Sequence, residues 1–140
     1  MKKKIKLYDS TLRDGAQTKG VNFSLNDKLK IISLLDEIGI DYIEGGWPGA
    51  NPTDNVFFQK LPKLRNSKAV AFGMMRKFGK SSQNDSGLNA VLNSGVSTVC
   101  LVGKSWDFHV KNALKIPLNK NLDMISDTIA FASKRVDEVL

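Results

Sequence analysis

Cysteine and histidine are nearly missing from this chain, with one of each in 140 residues. A lone cysteine excludes an internal disulfide. Cys100 lies in the apolar run Thr98–Val102 and reads as a small core residue of a protein kept in a reducing, cytoplasmic compartment. No apolar run approaches the roughly 20 residues that cross a bilayer, so no membrane partner is expected. The N-terminus, Met-Lys-Lys-Lys-Ile-Lys-Leu-Tyr-Asp, is basic but lacks a following apolar stretch, so a secretory leader is not expected. There is no linker and no low-complexity segment. No Gly-x-Gly-x-x-Gly follows the first strand, which weighs against a nucleotide-binding open sheet.

Basic charge is present in excess, with 21 Lys and Arg against 14 Asp and Glu for a net +7. That balance admits a polyanionic ligand such as a CoA thioester, or a non-catalytic module binding nucleic acid or a protein. The lysines are scattered and no DNA- or RNA-binding signature occurs. Ordinary solubility charge with no nucleic-acid partner is therefore the expectation.

A pattern of short β-like run, polar loop and helix recurs about every 30 residues, the length of a βαβ unit. The runs are 5–11, 42–47, 69–74 and 98–102, and the helical stretches are 25–38, 54–64, 87–93 and 118–134. Ser24 is placed to cap the first helix, Leu25, Leu29, Ile32 and Leu35 form its apolar face, and Gly39 is placed to stop it. Leu122, Ile125, Ile129 and Ala132 mark the face of the last. Such alternation means parallel strands, in an open doubly wound sheet or a closed barrel. Useful polar residues follow every strand: Arg13-Asp14, Glu44 to Trp47, Arg76-Lys77 and Lys104 to His109. That favours a barrel, whose chemistry sits in the loops of one face. A complete (β/α)8 barrel takes about 250 residues. The expected fold is thus α/β, the N-terminal half of a (β/α)8 TIM barrel in one partial domain, 1–140, with about four and a half β/α units. Residues 136–140 read as the start of a fifth strand. Taken as an incomplete catalytic domain, the isolated chain is expected to be inactive.

Tyr8-Asp-Ser-Thr-Leu-Arg-Asp-Gly-Ala-Gln17 concentrates the chemistry. Asp14 is a hard oxygen donor for a divalent cation. Arg13 offers a planar fork to a carboxylate or a developing oxyanion. Gly15 suits a sharp turn. For Asp14 the alternative is a cap or turn residue, for Arg13 a surface ion pair, and for Gln17 a plain loop hydrogen bond. Glu44 either faces inward to order Arg13 or substrate, or forms a barrel-interior ion pair. His109 and Ser105 lie in the loop after the fourth strand, near substrate or merely bonded to backbone. Trp47 and Trp106 wall a pocket or cover the rim. Lys104 meets a phosphate or stays solvated.

The segment Asp9-Ser-Thr-Leu-Arg-Asp-Gly-Ala-Gln17 resembles the opening motif of the DRE-TIM metallolyases, which include isopropylmalate, homocitrate and citramalate synthases and hydroxymethylglutaryl-CoA lyase. Ala16, the segment Asp41-Tyr-Ile-Glu-Gly-Gly-Trp-Pro-Gly-Ala-Asn-Pro52 and the segment Gly103-Lys-Ser-Trp-Asp-Phe-His-Val110 resemble the long-form citramalate synthase branch. The resemblance implies an acyltransferase in isoleucine precursor synthesis, condensing acetyl-CoA with a 2-oxo acid, pyruvate favoured, to give citramalate. It implies a divalent metal cation (Mg2+, Mn2+ or Zn2+) and a homodimer when full length. On it, Asp14 matches the metal ligand, Arg13 the carbonyl-polarising arginine and Gln17 a polar contact. Glu44 joins Arg13 as catalytic, and Ser105 and His109 join the substrate-binding set. The family's His-x-His pair is not in this sequence, and Met74-Met75 stands where more polar residues are usual. Isopropylmalate and homocitrate synthases, using other 2-oxo acids, are the sister readings.

Overall fold

The computed structural model describes residues 5–140. Five parallel strands lie side by side in chain order: β1 (Tyr8–Asp9), β2 (Tyr42–Gly46), β3 (Lys68–Met74), β4 (Thr98–Val102) and β5 (Glu138–Val139). Between them run α1 (Leu25–Glu37), α2 (Pro52–Gln59) and α3 (Ser86–Leu92). A short α4 (Asp107–His109) leads into a π-helical turn, Val110–Leu114, and then α5 (Leu118–Ala132).

Two observations decide between the architectures. A doubly wound sheet reverses its strand order and covers both faces with helices. Here the order never reverses, and Ile32 of α1, Phe57 of α2, Leu88 and Val91 of α3 and Ala132 of α5 share one core with Ile43, Ala69, Ala71, Val99 and Leu101. The sheet also curls. The Tyr42 hydroxyl of β2 reaches Glu138 Oε1 of β5 at 2.8 Å, although three strand spacings span about 14 Å in a flat sheet. The fold is a partial barrel of parallel β/α units.

Strand alternation sorts the residues by size. Ala69, Ala71 and Gly73 face the helices, where a Cβ on Gly73 would collide with Val91. The larger Val70, Phe72 and Met74 take the opposite, interior face. Local chemistry sets the helix ends. The Ser24 side chain accepts the Asp27 N–H while Asp27 reaches back to the Ser24 N–H, closing a capping box. Gly39, at φ 84°, ends α1. Asn51 and Asp85 cap α2 and α3. Asp36 of α1 accepts the backbone N–H groups of Arg65, Asn66 and Ser67, pinning the approach to β3.

Several expectations shift. β1 is shorter than 5–11 because the chain bends at Asp9, whose carboxylate accepts the Thr11 N–H at 3.0 Å. α2 ends at Gln59 rather than 64. On α5 the buried positions are Asn121, Met124, Thr128 and Ala132, and Leu122 is 65% exposed. The inward stripe is therefore rotated toward polar Asn121 and Thr128, whose hydrogen bonds to Lys104 O and Met124 O make their burial tolerable. Cys100 is only half-buried, on the interior face instead of in the helix-facing core.

Candidate active site

The turn after β1 is built by three anchors. The Ser10 carbonyl accepts the N–H groups of Arg13, Asp14 and Gly15 at 3.2, 2.8 and 3.2 Å. Leu12 is fully buried in the helix-facing core. A 3-10 turn, Gly15–Gln17, then carries the chain away. Gly15 does not need left-handed backbone, and a Cβ there would meet Thr11 at an ordinary 3.6 Å. The bend thus comes from the Ser10 carbonyl and the Leu12 peg, not from the freedom of glycine.

Those anchors leave Arg13 and Asp14 at the C-terminal rim of the strands. The Arg13 guanidinium is held on three sides. Its Nε donates to Glu44 Oε1 and its Nη1 donates to Asp14 Oδ1, the latter at 2.9 Å. Its flat face lies over Phe72, with Cζ 4.0 Å from the ring centroid. Glu44 faces the interior and is buried, and its Oε2 accepts the Tyr8 hydroxyl. Both readings of Glu44 therefore meet in one contact: the carboxylate forms a barrel-interior ion pair, and that pair orders Arg13. Burial, then the bond to Glu44, pushes the Tyr8 phenol above its ordinary value, so it remains a protonated donor. Burial likewise pushes up the neighbouring Cys100 thiol, which is no ready nucleophile.

Asp14 is the exposed member, with 63% of its side chain open. Oδ1 faces Arg13, and its second oxygen has no hydrogen-bond partner among the described residues. A hard, accessible oxygen of this kind fits one position of a divalent-cation shell. Among the described residues no group of three His, Cys, Asp or Glu stands ready to hold a metal.

Gln17 meets Arg13 across a cavity of about 300 Å³ between the loops after β1 and β2, also lined by Asn22, Trp47 and Asn51. Trp47 is thus a pocket wall. Its ring stands edge-on to Phe72, with centroids 5.3 Å apart. A second cavity of about 340 Å³ lies at the ends of β3 and β4. Met74, Met75, Val102, Leu114 and Met124 line it, which explains apolar residues in the third loop. Lys104 lies on its rim. Ser105 and His109 are not brought to Arg13. Both are exposed, and the His109 ring packs edge-on to Trp106 at 4.7 Å. Trp106 sits on the rim, stacked on Phe108. The site residues that sequence reasoning missed are Tyr8, Phe72 and Cys100. The small-large alternation of β3 signals Phe72, Tyr8 opens the same segment as Arg13, and nothing local marks Cys100.

Comparison with known proteins bears on this geometry. The HMGL-like family model matches residues 4–140. An (R)-citramalate synthase of Aquifex aeolicus is 48% identical over 142 residues, covering 100% of this chain and 27% of that protein. A 2-isopropylmalate synthase of Sulfurisphaera tokodaii is 28% identical, over 93% of this chain and 32% of that protein. The chain spans about a quarter of the length of the curated citramalate synthases it matches. The crystal structure of a hydroxymethylglutaryl-CoA lyase from Pseudomonas aeruginosa superposes with a TM-score of 0.73 at 20% identity, covering 97% of this chain and 44% of that one.

Proposed function

The chain belongs to the HMGL-like family, and from that premise we propose that it serves an acyltransferase joining acetyl-CoA to pyruvate to give citramalate. The supporting observation is the Arg13 guanidinium, clamped between Glu44, Phe72 and Asp14 at the C-terminal rim. A cation held this firmly meets a new negative charge without first having to reorganise.

In the proposed reaction the acetyl methyl group loses a proton and its carbon bonds to the keto carbon of the oxo acid. The carbonyl electron pair becomes an alkoxide, which takes up a proton. Water then cleaves the thioester and releases the CoA thiol. Arg13 stabilises the alkoxide as it forms. Glu44 holds Arg13 in register, and Tyr8 holds Glu44. Asp14 is placed to give one oxygen to a divalent cation, and that ion when bound supplies Lewis acidity toward the oxo acid. Gln17 is placed to hold the substrate from the cavity side. The curated relatives that share 44–51% identity are citramalate synthases, while the isopropylmalate synthases cited share 28–35%. The higher identity to citramalate synthases than to these three matching 2-isopropylmalate synthases supports pyruvate over its branched homologues.

The test is thiol release from acetyl-CoA, measured on the protein as its gene encodes it with pyruvate, 2-oxoisovalerate and 2-oxoglutarate in turn. Release with pyruvate well above the other two is expected. Preference for either of the others assigns a sister synthase, and no release with any of them overturns the reading. No helix among the described residues is long and apolar enough to cross a membrane.

A further inference from the structure

Beside the arginine cluster, the most unusual feature is a buried ion pair between two helices. Lys28 of α1 and Asp54 of α2 are 3% and 6% exposed, and Lys28 Nζ donates to Asp54 Oδ1. The ammonium also lies 5.1 Å from the centroid of Phe57. Two charges removed from water seldom add stability over well-packed apolar residues. Their burial therefore points to another task, and the second carboxylate oxygen shows one. Asp54 Oδ2 accepts the backbone N–H of Trp47 at 2.8 Å. The same carboxylate fills the space beside Gly46, at φ 153°, where a Cβ would collide with it. The β2 register shifts at this point, between Glu44 and Gly46.

The contacts then continue to the catalytic arginine. Asp54 seats the Trp47 backbone, the Trp47 ring braces Phe72, and the Phe72 face carries the Arg13 guanidinium. All but Phe72 line the cavity of about 300 Å³, as does Lys28. We propose that Asp54, whose charge Lys28 neutralises, is a positioning residue: its second oxygen sets the bend at Gly46–Trp47 and, through Trp47 and Phe72, the seat of Arg13. The oxo-acid role of Arg13 rests on the proposed function above; the mechanical link does not.

The experiment compares two double variants of the protein as its gene encodes it. Lys28→Met with Asp54→Asn removes both charges and keeps an oxygen for the Trp47 N–H. Lys28→Met with Asp54→Leu removes that acceptor as well. Both replace a buried pair with similar volume, so both are expected to fold. The Leu variant is expected to lose about tenfold in kcat/KM for pyruvate, a loss in the range that small misplacements of a catalytic group cause. KM for acetyl-CoA should stay unchanged, and the Asn variant should remain within about twofold of wild type. In an Arg13→Lys background the Leu change should add less than about twofold, because residues acting through one another are not additive. Equal losses in both double variants, or full additivity with Arg13→Lys, overturn the proposal. A near-UV circular dichroism difference spectrum against a Trp47→Phe variant reports the Trp47 seat without catalysis. The Leu variant is expected to alter that signal, and an unaltered one overturns the link. If wild type releases no thiol with any oxo acid, the proposed function falls and this spectrum still decides.

Discussion

The interior face of the sheet has two polar clusters, one at each end of the strands, and they differ in what they leave open. At the N-terminal end, Lys6 donates to the Tyr42 hydroxyl at 2.7 Å, Tyr42 donates to Glu138, and Lys68 donates to Glu138 at 2.8 Å. Each of these polar heads is matched within the cluster. At the C-terminal end, Glu44 is matched on both oxygens, but Arg13 and Asp14 keep capacity facing the rim. The first cluster joins β2 and β3 to β5. The second holds a cation and a carboxylate ready for something outside the protein. In barrels of parallel strands, chemistry belongs to the C-terminal rim and stability to the other end, and the hydrogen bonding here follows that division.

Breaking the rim cluster should have the largest effect. Asp14→Asn should lower turnover at least about a hundredfold, the scale of losing one preorganised charge. Its melting temperature should barely move, because the side chain is exposed. Arg13→Lys should act similarly, since a point charge cannot replace the fork. Thiol-release kinetics beside thermal melts check both, and wild-type rates in either variant would remove Arg13 and Asp14 from the mechanism.

Next in size comes the N-terminal end. Asp36→Ala leaves the N–H groups of Arg65, Asn66 and Ser67 without their acceptor, a cost of about 1–2 kcal/mol because these part-buried donors can turn partly to water. Urea unfolding should show that loss while the turnover of the folded fraction stays unchanged. A matching loss of turnover would erase the contrast between the ends.

Acid should sharpen it. Burial works against the charge on Asp36, yet the N–H bonds from Arg65, Asn66 and Ser67 hold its pKa below the ordinary 3.8. Asp85, buried and bonded by the N–H groups of Leu88 and Lys77, is depressed as well. A depressed carboxylate stabilises the fold fully above its unfolded value and loses that contribution as pH falls through the folded one. The urea midpoint should hold above that ordinary value and drop below it. Asp36→Asn should flatten the drop, and an equally steep drop in that variant would take Asp36 out of the acid response.

The smallest effect belongs to Glu138→Gln. Its partner Lys68 is half-exposed, and such pairs contribute little. A melting temperature within a few degrees of wild type and unchanged kinetics are expected. A large rate loss would mean that the N-terminal cluster also serves catalysis.

Much of the molecule was legible from local signals. Ser24 and Gly39 bounded α1, and the apolar run of β4 matched its strand to the residue. Arg13 and Asp14 stood out because their chemistry is compressed into neighbouring positions. Of the partners of Arg13 on other strands, alternation offered only Glu44, as one of two readings. Glu44 is 31 residues away, and Phe72 and Tyr8 reach the site only because β1, β2 and β3 lie side by side. Lys28 and Asp54 read as ordinary helix-surface charges until α1 and α2 pack. Leu122 misled because period alone does not say which of two adjacent stripes faces inward.

By itself, the sequence determined the β/α alternation, the capped start and glycine stop of α1, and the adjacency of Arg13 and Asp14, since caps, periodicity and a motif act over a few residues. Only the tertiary structure decided how Arg13 is held, which charges are buried and that Ser105 and His109 stand apart from it. Those facts depend on strands and helices distant in the chain meeting in space, and no local pattern encodes the meeting.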